Sequence, residues 1–165
     1  MNTPIVKGPI AMTNWDTLST SSGEEALARI VAEFKADSGT IHFLGDDGLL
    51  HLFSASAGMP DAVLSIIRTI PVGKGMAGLA VERGQAVNAC NIQTDSSGDV
   101  RPGARATAMA GAVVVPIFSG EDIVGALGVA NRTERTFTDD EIASLTNAGR
   151  ALAQQRQGGV PQSSN

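Results

Sequence analysis

The stretch Ala112-Val113-Val114-Val115-Pro116-Ile117-Phe118-Ser119-Gly120-Glu121-Asp122-Ile123-Val124-Gly125-Ala126-Leu127-Gly128-Val129-Ala130-Asn131 decides the fold. Two runs rich in Val and Ile flank the turn formers Ser119 to Asp122, so the stretch reads as a β-hairpin. Neither run alternates apolar with polar residues, which places both strands centrally in a sheet covered on each side. Gly125 and Gly128 in the second strand predict close backbone approach or packing against a helix.

Downstream, Thr138 and Glu141 have the spacing of a capping box, and Phe137 can staple to Ile142. They open a last helix whose apolar stripe runs through Leu145, Gly149 and Leu152. Upstream, Ser22 and Glu25 repeat the capping pattern before a helix with Ala26, Leu27, Ile30, Val31 and Phe34 on one face, expected to end at Gly39. A hairpin follows, Thr40 to Leu44 and Leu49 to Ser54 around Gly45-Asp46-Asp47-Gly48. A turn centred between Asp46 and Asp47 would set Phe43 opposite Leu50, Ile41 opposite Leu52 and His42 opposite His51. Next come a short helix from Asp61, an extended Thr69 to Val72, the turn Gly73-Lys74-Gly75, a second short helix ending at Gly84, and an extended Gln85 to Ile92. Residues 93–108 read as a long polar loop with a possible helical turn near its end, of the kind that closes over a site.

The pattern is α+β: an antiparallel sheet, helices from both chain ends on one face, and short helices plus a long loop over a pocket on the other. The domain is expected at residues 22–155, between a leader at 1–21 and a tail at 156–165. The 165 residues suit one core and are too few for two ordinary enzyme domains. With 12 Lys+Arg against 17 Asp+Glu and few aromatics, no nucleic-acid footprint is expected. The mostly apolar run from Ala106 to Phe118 is broken by Thr107 and Pro116 and falls short of the ~20 residues of a spanning helix, so no membrane is expected. Met1 to Ser22 shows no charged leader followed by an apolar run, and the single Cys90 can form no internal disulfide. A reduced, cytoplasmic protein is the expectation.

The ordered set Thr40-Ile41-His42-Phe43-Leu44, Ile70-Pro71-Val72-Gly73-Lys74-Gly75-Met76-Ala77-Gly78, Ala86 to Asp95, Val113-Val114-Val115-Pro116-Ile117, Ile123 to Val129 and Phe137-Thr138-Asp139-Asp140-Glu141 resembles the GAF family of sensory domains. The resemblance implies a sheet of about six antiparallel strands, a ligand cavity on one face and dimerisation through terminal helices. It names no ligand, because similar domains bind cyclic nucleotides, haem, bilins or amino acids. Some similar proteins reduce free methionine-(R)-sulfoxide with cysteines in the helix after the glycine turn and in the loop before the Val-Val-Pro strand. Here those places read Gly75-Met76-Ala77-Gly78 and Ala106-Thr107-Ala108-Met109, without Cys, and Cys90 has no resolving thiol.

Gly73-Lys74-Gly75-Met76-Ala77-Gly78 satisfies G-x-G-x-x-G, but Pro71 interrupts the strand that a dinucleotide fold needs before it, and Lys74 lacks the following Ser or Thr of a phosphate-binding loop. His42 and His51, if paired across the hairpin, make an incomplete metal or haem site, so no metal and no obligatory cofactor are expected. Asn131-Arg132, Phe137 and Asp140-Glu141 resemble the Asn-Lys-Phe-Asp-Glu signature of cyclic-nucleotide binders, but capping already accounts for Glu141. No nucleophile lies in a Gly-x-Ser-x-Gly context and no catalytic constellation is complete.

Candidate ligand contacts are His42, Cys90, Asn91, Asp95, Arg101, Arg105 and Met109, the two arginines because a guanidinium fork suits phosphate or carboxylate. The functional expectation is a non-catalytic, small-molecule-binding module that signals through a homodimer or to an effector protein in trans. Its alternatives are a methionine-sulfoxide reductase and a structural dimerisation module whose pocket is filled by side chains.

Overall fold

A computed structural model describes Trp15, Leu18 and residues 21–94 and 108–159. The elements run α1 (Gly23–Glu33), β1 (Ser38–Leu44), β2 (Leu49–Ala55), α2 (Asp61–Ile67), β3 (Thr69–Pro71), α3 (Gly75–Arg83), β4 (Val87–Ala89), β5 (Gly111–Ser119), β6 (Asp122–Asn131) and α4 (Asp139–Gly159). Six strands form one antiparallel sheet in the order β3-β2-β1-β6-β5-β4, with the β5–β6 hairpin and β1 at its centre. The α+β architecture expected from the sequence is the one observed.

The apolar runs of β5 and β6 divide by alternation, since successive side chains of a strand point to opposite faces. Val113, Val115, Ile117, Leu127 and Val129 join Ile41 and Phe43 under α1 and α4, packing against Leu27, Ile30, Leu145 and Leu152. Trp15 and Leu18 complete this core, with Trp15 stacked on Phe34 at 6.0 Å and its Nε1–H donated to Ser144 Oγ at 3.3 Å. On the other face Leu50, Ile70, Val81 and Ala126 pack together, with Ala77 and Val114 against them. Gly125 meets the close approach expected of it: a Cβ there would run into the carbonyl oxygen of His42 on β1.

Both capping boxes form. Ser22 and Glu25 exchange backbone and side-chain bonds at 3.0 and 3.1 Å, and Thr138 and Glu141 do so at 2.8 and 3.1 Å. The end of α1 differs from expectation. The helix stops at Glu33, Lys35 takes a left-handed φ of +54°, and the Lys35 and Ala36 N–H groups bond back to the carbonyls of Ala32 and Val31. That is a Schellman closure made without glycine. Gly39, the expected terminator, instead lies within β1, where a Cβ would sit 2.8 Å from the carbonyl oxygen of Gly128.

The first hairpin is also shifted by one residue. Gly45 N–H bonds Leu49 O at 2.8 Å, leaving the three-residue turn Asp46-Asp47-Gly48 with Gly48 at φ +81°. The partners are Leu44 with Leu50, Phe43 with His51 and His42 with Leu52, and a bulge between Ile41 and His42 shifts the register again. A one-residue slip exchanges faces. His42 therefore lies on the face opposite to His51, and the cross-strand histidine pair does not exist.

Candidate functional site

The sheet face turned away from α1 and α4 bears a cavity of about 360 Å³. Its floor comes from Thr40 and His42 of β1, Ala112 and Val114 of β5, and Gly128 and Ala130 of β6. Val63, Ile66 and Ile67 of α2 wall one side, and Gly75, Met76 and Ala77 at the start of α3 another. Ser56 to Pro60, Ile70, Ile92 and Met109 close the remainder, and Asp37, Lys74 and Arg132 bring charge to the lining. Small residues on the strands make the space: Ala112, Gly128 and Ala130 stand where larger side chains would occupy it. A volume of this size lies at the lower end of the range for pockets that enclose a small molecule.

His42 is the polar centre of this lining. It is 2% exposed, and its Nε2–H donates to the carbonyl oxygen of Ile67 at 2.8 Å. A carbonyl can only accept, so the ring proton resides on Nε2 and Nδ1 carries a lone pair. Burial holds the imidazole pKa below its ordinary 6.5, aided by the His51 charge and opposed by the bond to Ile67. His42 is thus neutral at physiological pH. Its Nδ1 is buried and, among the described residues, has no hydrogen-bond partner.

The charged lining groups differ in their pairing. Arg132 lies 3.8 Å from Asp37 through Nη1 and donates its backbone N–H to Asp37 Oδ2 at 2.7 Å. Lys74, the exposed residue preceding α3, makes no ion pair among the described residues.

Of the residues singled out from sequence, His42 and Met109 line the cavity. Cys90 and Asn91 do not. Along this segment Val87, Ala89 and Ile92 are buried whereas Asn88 and Cys90 are exposed, which turns the thiol outward. The Cys90 carbonyl accepts from Arg135 N–H at 3.1 Å, and Asn91 Nδ2 donates to Glu134 Oε2 at 2.8 Å. Asp95, Arg101 and Arg105, with most of the loop assigned to them, lie outside the described residues. The two borders of that stretch are tied together: Gln93 Nε2 donates to Met109 O at 2.8 Å and Ile92 N–H to Ala110 O at 2.7 Å.

Sequence reasoning missed Ser56, Ile67, Lys74 and Met76. Met76 follows the Gly73-Lys74-Gly75 turn, and the abrupt switch from strand to helix there was the available signal. The residues of the cyclic-nucleotide-like signature serve another purpose. Asn131 Nδ2 donates to Lys35 O at 2.9 Å, while Phe137, 3% exposed, lies in the α1–α4 core. Among the described residues no three His, Cys, Asp or Glu converge on a metal-binding geometry, and no helix is long and apolar enough to cross a membrane.

The order of the sheet, the paired terminal helices and the cavity beneath α2 and α3 define a small α+β module built around an internal binding space. The family model for the GAF domain matches residues 23–154, and the chain belongs to that family. A comparison with curated proteins finds no match. Among solved structures, the GAF domain of an Acinetobacter phosphoenolpyruvate-protein phosphotransferase is similar, with a TM-score of 0.66 and 17% identity over 86% of this chain and 87% of that one. Free methionine-R-sulfoxide reductase from Neisseria meningitidis, in complex with its substrate, is similar with a TM-score of 0.65 and 17% identity over 90% and 84%. A domain of a two-component sensor histidine kinase from Sinorhizobium meliloti matches with a TM-score of 0.63 and 14% identity over 82% and 90%. At these identities the likeness is one of fold.

Proposed function

We propose that this chain is a non-catalytic GAF module that binds a small organic molecule in the cavity on β1, β5 and β6 and acts as a cytosolic regulator. The observation that carries the reading is the cavity itself: about 360 Å³, lined mainly by apolar side chains and containing one buried polar ring, His42. Occupancy would stabilise the closed arrangement of α2 and α3 over the sheet and bias a homodimer formed through α1 and α4, or an effector protein in trans. The non-catalytic part rests on Cys90, the chain's single thiol, whose side chain is exposed and not part of the cavity lining.

Native mass spectrometry of freshly purified protein, beside a denatured control, tests the reading. The expected result is a small-molecule adduct that is released on denaturation, together with a metabolite that raises the melting temperature and alters the monomer–dimer balance by light scattering. Absence of any adduct and of any thermal shift across a metabolite panel would favour a structural dimerisation module without a ligand. Thiol-dependent reduction of free methionine-R-sulfoxide, abolished by Cys90→Ser, would overturn the non-catalytic assignment.

A further inference from the structure

All three methionines among the described residues line the same cavity, and they come from separate parts of the chain. Met59 precedes α2, Met76 lies in the first turn of α3, and Met109 leads into β5. Met76 and Met109 pack in one cluster with Ala89, Ile92 and Ala112. The described lining holds no Phe or Trp. A thioether is soft and polarisable, sits on a chain with three rotatable bonds, and is attracted to the edge of an aromatic ring. Such a wall can close on a flat ring and favour it over a saturated one. The charge of the lining is also uneven. Asp37 is the one carboxylate of the described lining and has Arg132 as its partner, which leaves Lys74 without an ion pair among the described residues. In a chain of net charge -5, the described lining therefore carries a positive excess.

We infer that the ligand of this cavity is a compact aromatic carboxylate, its ring held against the thioethers of Met59, Met76 and Met109 and its carboxylate by Lys74. The inference rests on the reading of the cavity as a small-molecule site and specifies the ligand's chemistry. Lys74 and Met76 flank Gly75, so one turn of backbone supplies both groups. Lys74 is exposed, whereas Met59 and Met76 are half-buried and Met109 is buried. That gradient keeps the charged end of the ligand near water, where it loses little hydration, and takes the ring inside. A carboxylate brings the single negative charge that Lys74 can match, whereas a phosphate monoester would bring nearly two. An ammonium group finds no free carboxylate in the described lining, because Asp37 already pairs with Arg132.

The test compares phenylacetate with two probes that each lack one of its features. Cyclohexylacetate keeps the charge and loses the aromatic ring, and phenylacetamide keeps the ring and loses the charge. All three are titrated into the intact protein by calorimetry, and into protein labelled with 13C at the methionine methyls, whose resonances are assigned with Met59→Leu, Met76→Leu and Met109→Leu. Burial of area alone would favour the more apolar cyclohexyl ring, so a preference for phenylacetate reports the thioethers. Phenylacetate is expected to bind about threefold or more tightly than either comparator, and its ring current should shift all three methyl resonances. Met76→Leu combined with Met109→Leu conserves volume and should abolish the preference over cyclohexylacetate. Lys74→Gln should abolish the preference over phenylacetamide, as should added salt. If the double variant does not fold, the wild-type affinities and resonances still decide. Equal affinity within either comparison, or phenylacetate binding that leaves the three resonances still, would overturn this inference and leave the small-molecule module standing. Binding of none of the probes would overturn it as well, and the module reading falls with it only if native mass spectrometry shows no adduct and no metabolite shifts the melting temperature.

Discussion

Lys35 closes α1 with a backbone conformation that favours glycine. Its φ of +54° lies in the left-handed region, where a Cβ crowds the neighbouring carbonyl, and its carbonyl receives the Asn131 amide. Both hydrogen bonds of the Schellman closure use backbone atoms, so Lys35→Gly keeps them and removes the steric cost. The variant is expected to gain about 0.5–1 kcal/mol, seen as a rise of roughly 1–4 °C in melting temperature. An unchanged or lowered melting temperature would show that the lysine side chain contributes more than its backbone costs. This residue also marks where local reading stopped. The capping boxes at Ser22 and Thr138 were legible because the side chains and the amides they bond lie within one helical turn. The true end of α1 was not, because glycine is the usual left-handed signal and Gly39, five residues beyond Phe34, carries it for a different reason. The same limit applied at the first hairpin. Gly45 and Gly48 both read as turn formers, and only the bond from Gly45 to Leu49 reveals which belongs to the turn. His42 consequently emerged as a candidate on a correct strand with an incorrect neighbour.

At the scale of elements, one arginine links α1, β6 and α4. Arg135 Nη1 donates to Phe34 O at 2.7 Å and to Asn131 Oδ1 at 2.9 Å, Nη2 donates to Glu141 Oε2 at 2.6 Å, and the guanidinium lies 4.1 Å from the centre of the Phe137 ring. Burial by itself would raise the Glu141 carboxyl. The bonds from Thr138 and the bond and charge of Arg135 outweigh it and hold the group below its ordinary 4.5. A carboxyl whose pKa is lower in the folded chain contributes stability above its unfolded pKa and loses it as pH falls through the folded value. Glu141→Gln should therefore cost about 1–2 kcal/mol near neutrality, and the gap between variant and wild type should close below about pH 4.5. Urea denaturation between pH 7 and pH 3 checks it: a gap independent of pH would mean that the carboxylate charge of Glu141 contributes nothing to stability. The elements themselves were mostly legible, since the Val- and Ile-rich runs and the two amphipathic helices carry their periods in sequence. What the residues could not show was convergence. Ile67 and Met76 approach the strand residues only because α2 and α3 are laid across the sheet, and no spacing in the chain encodes that meeting; Ser56, just past β2, is held beside β1 by its bonds to Gly39. Cys90 failed to reach the cavity for a parity reason, and Asn91 because it lies past the end of β4, where its amide bonds Glu134. Ala89 and Ile92 take the inward positions there, joining the small cluster with Met109 and Ala112.

For the whole molecule, the central strands serve two compartments at once. Val113 and Val115 stabilise the fold beneath α1 and α4, whereas Ala112 and Val114, one residue away, face the cavity. A substitution on the second set should therefore separate binding from stability. In Ala112→Phe the added ring would be directed from the floor into the cavity. Burying the ring favours the variant by about 1–2 kcal/mol at ~25 cal/mol per Å², and off-rotamer packing opposes it by about 1–3 kcal/mol. The two nearly offset, so stability should stay within about 2 kcal/mol of wild type. Occupancy should not survive, because the ring and a ligand would need the same volume. The adduct seen by native mass spectrometry should disappear, and any metabolite that raises the wild-type melting temperature should leave the variant unmoved. Val113→Phe, directed into the closely packed core, is the opposite control and should lose stability. A variant that folds like wild type yet keeps the full ligand-induced shift would place binding outside this cavity and remove the basis for assigning the module its ligand there.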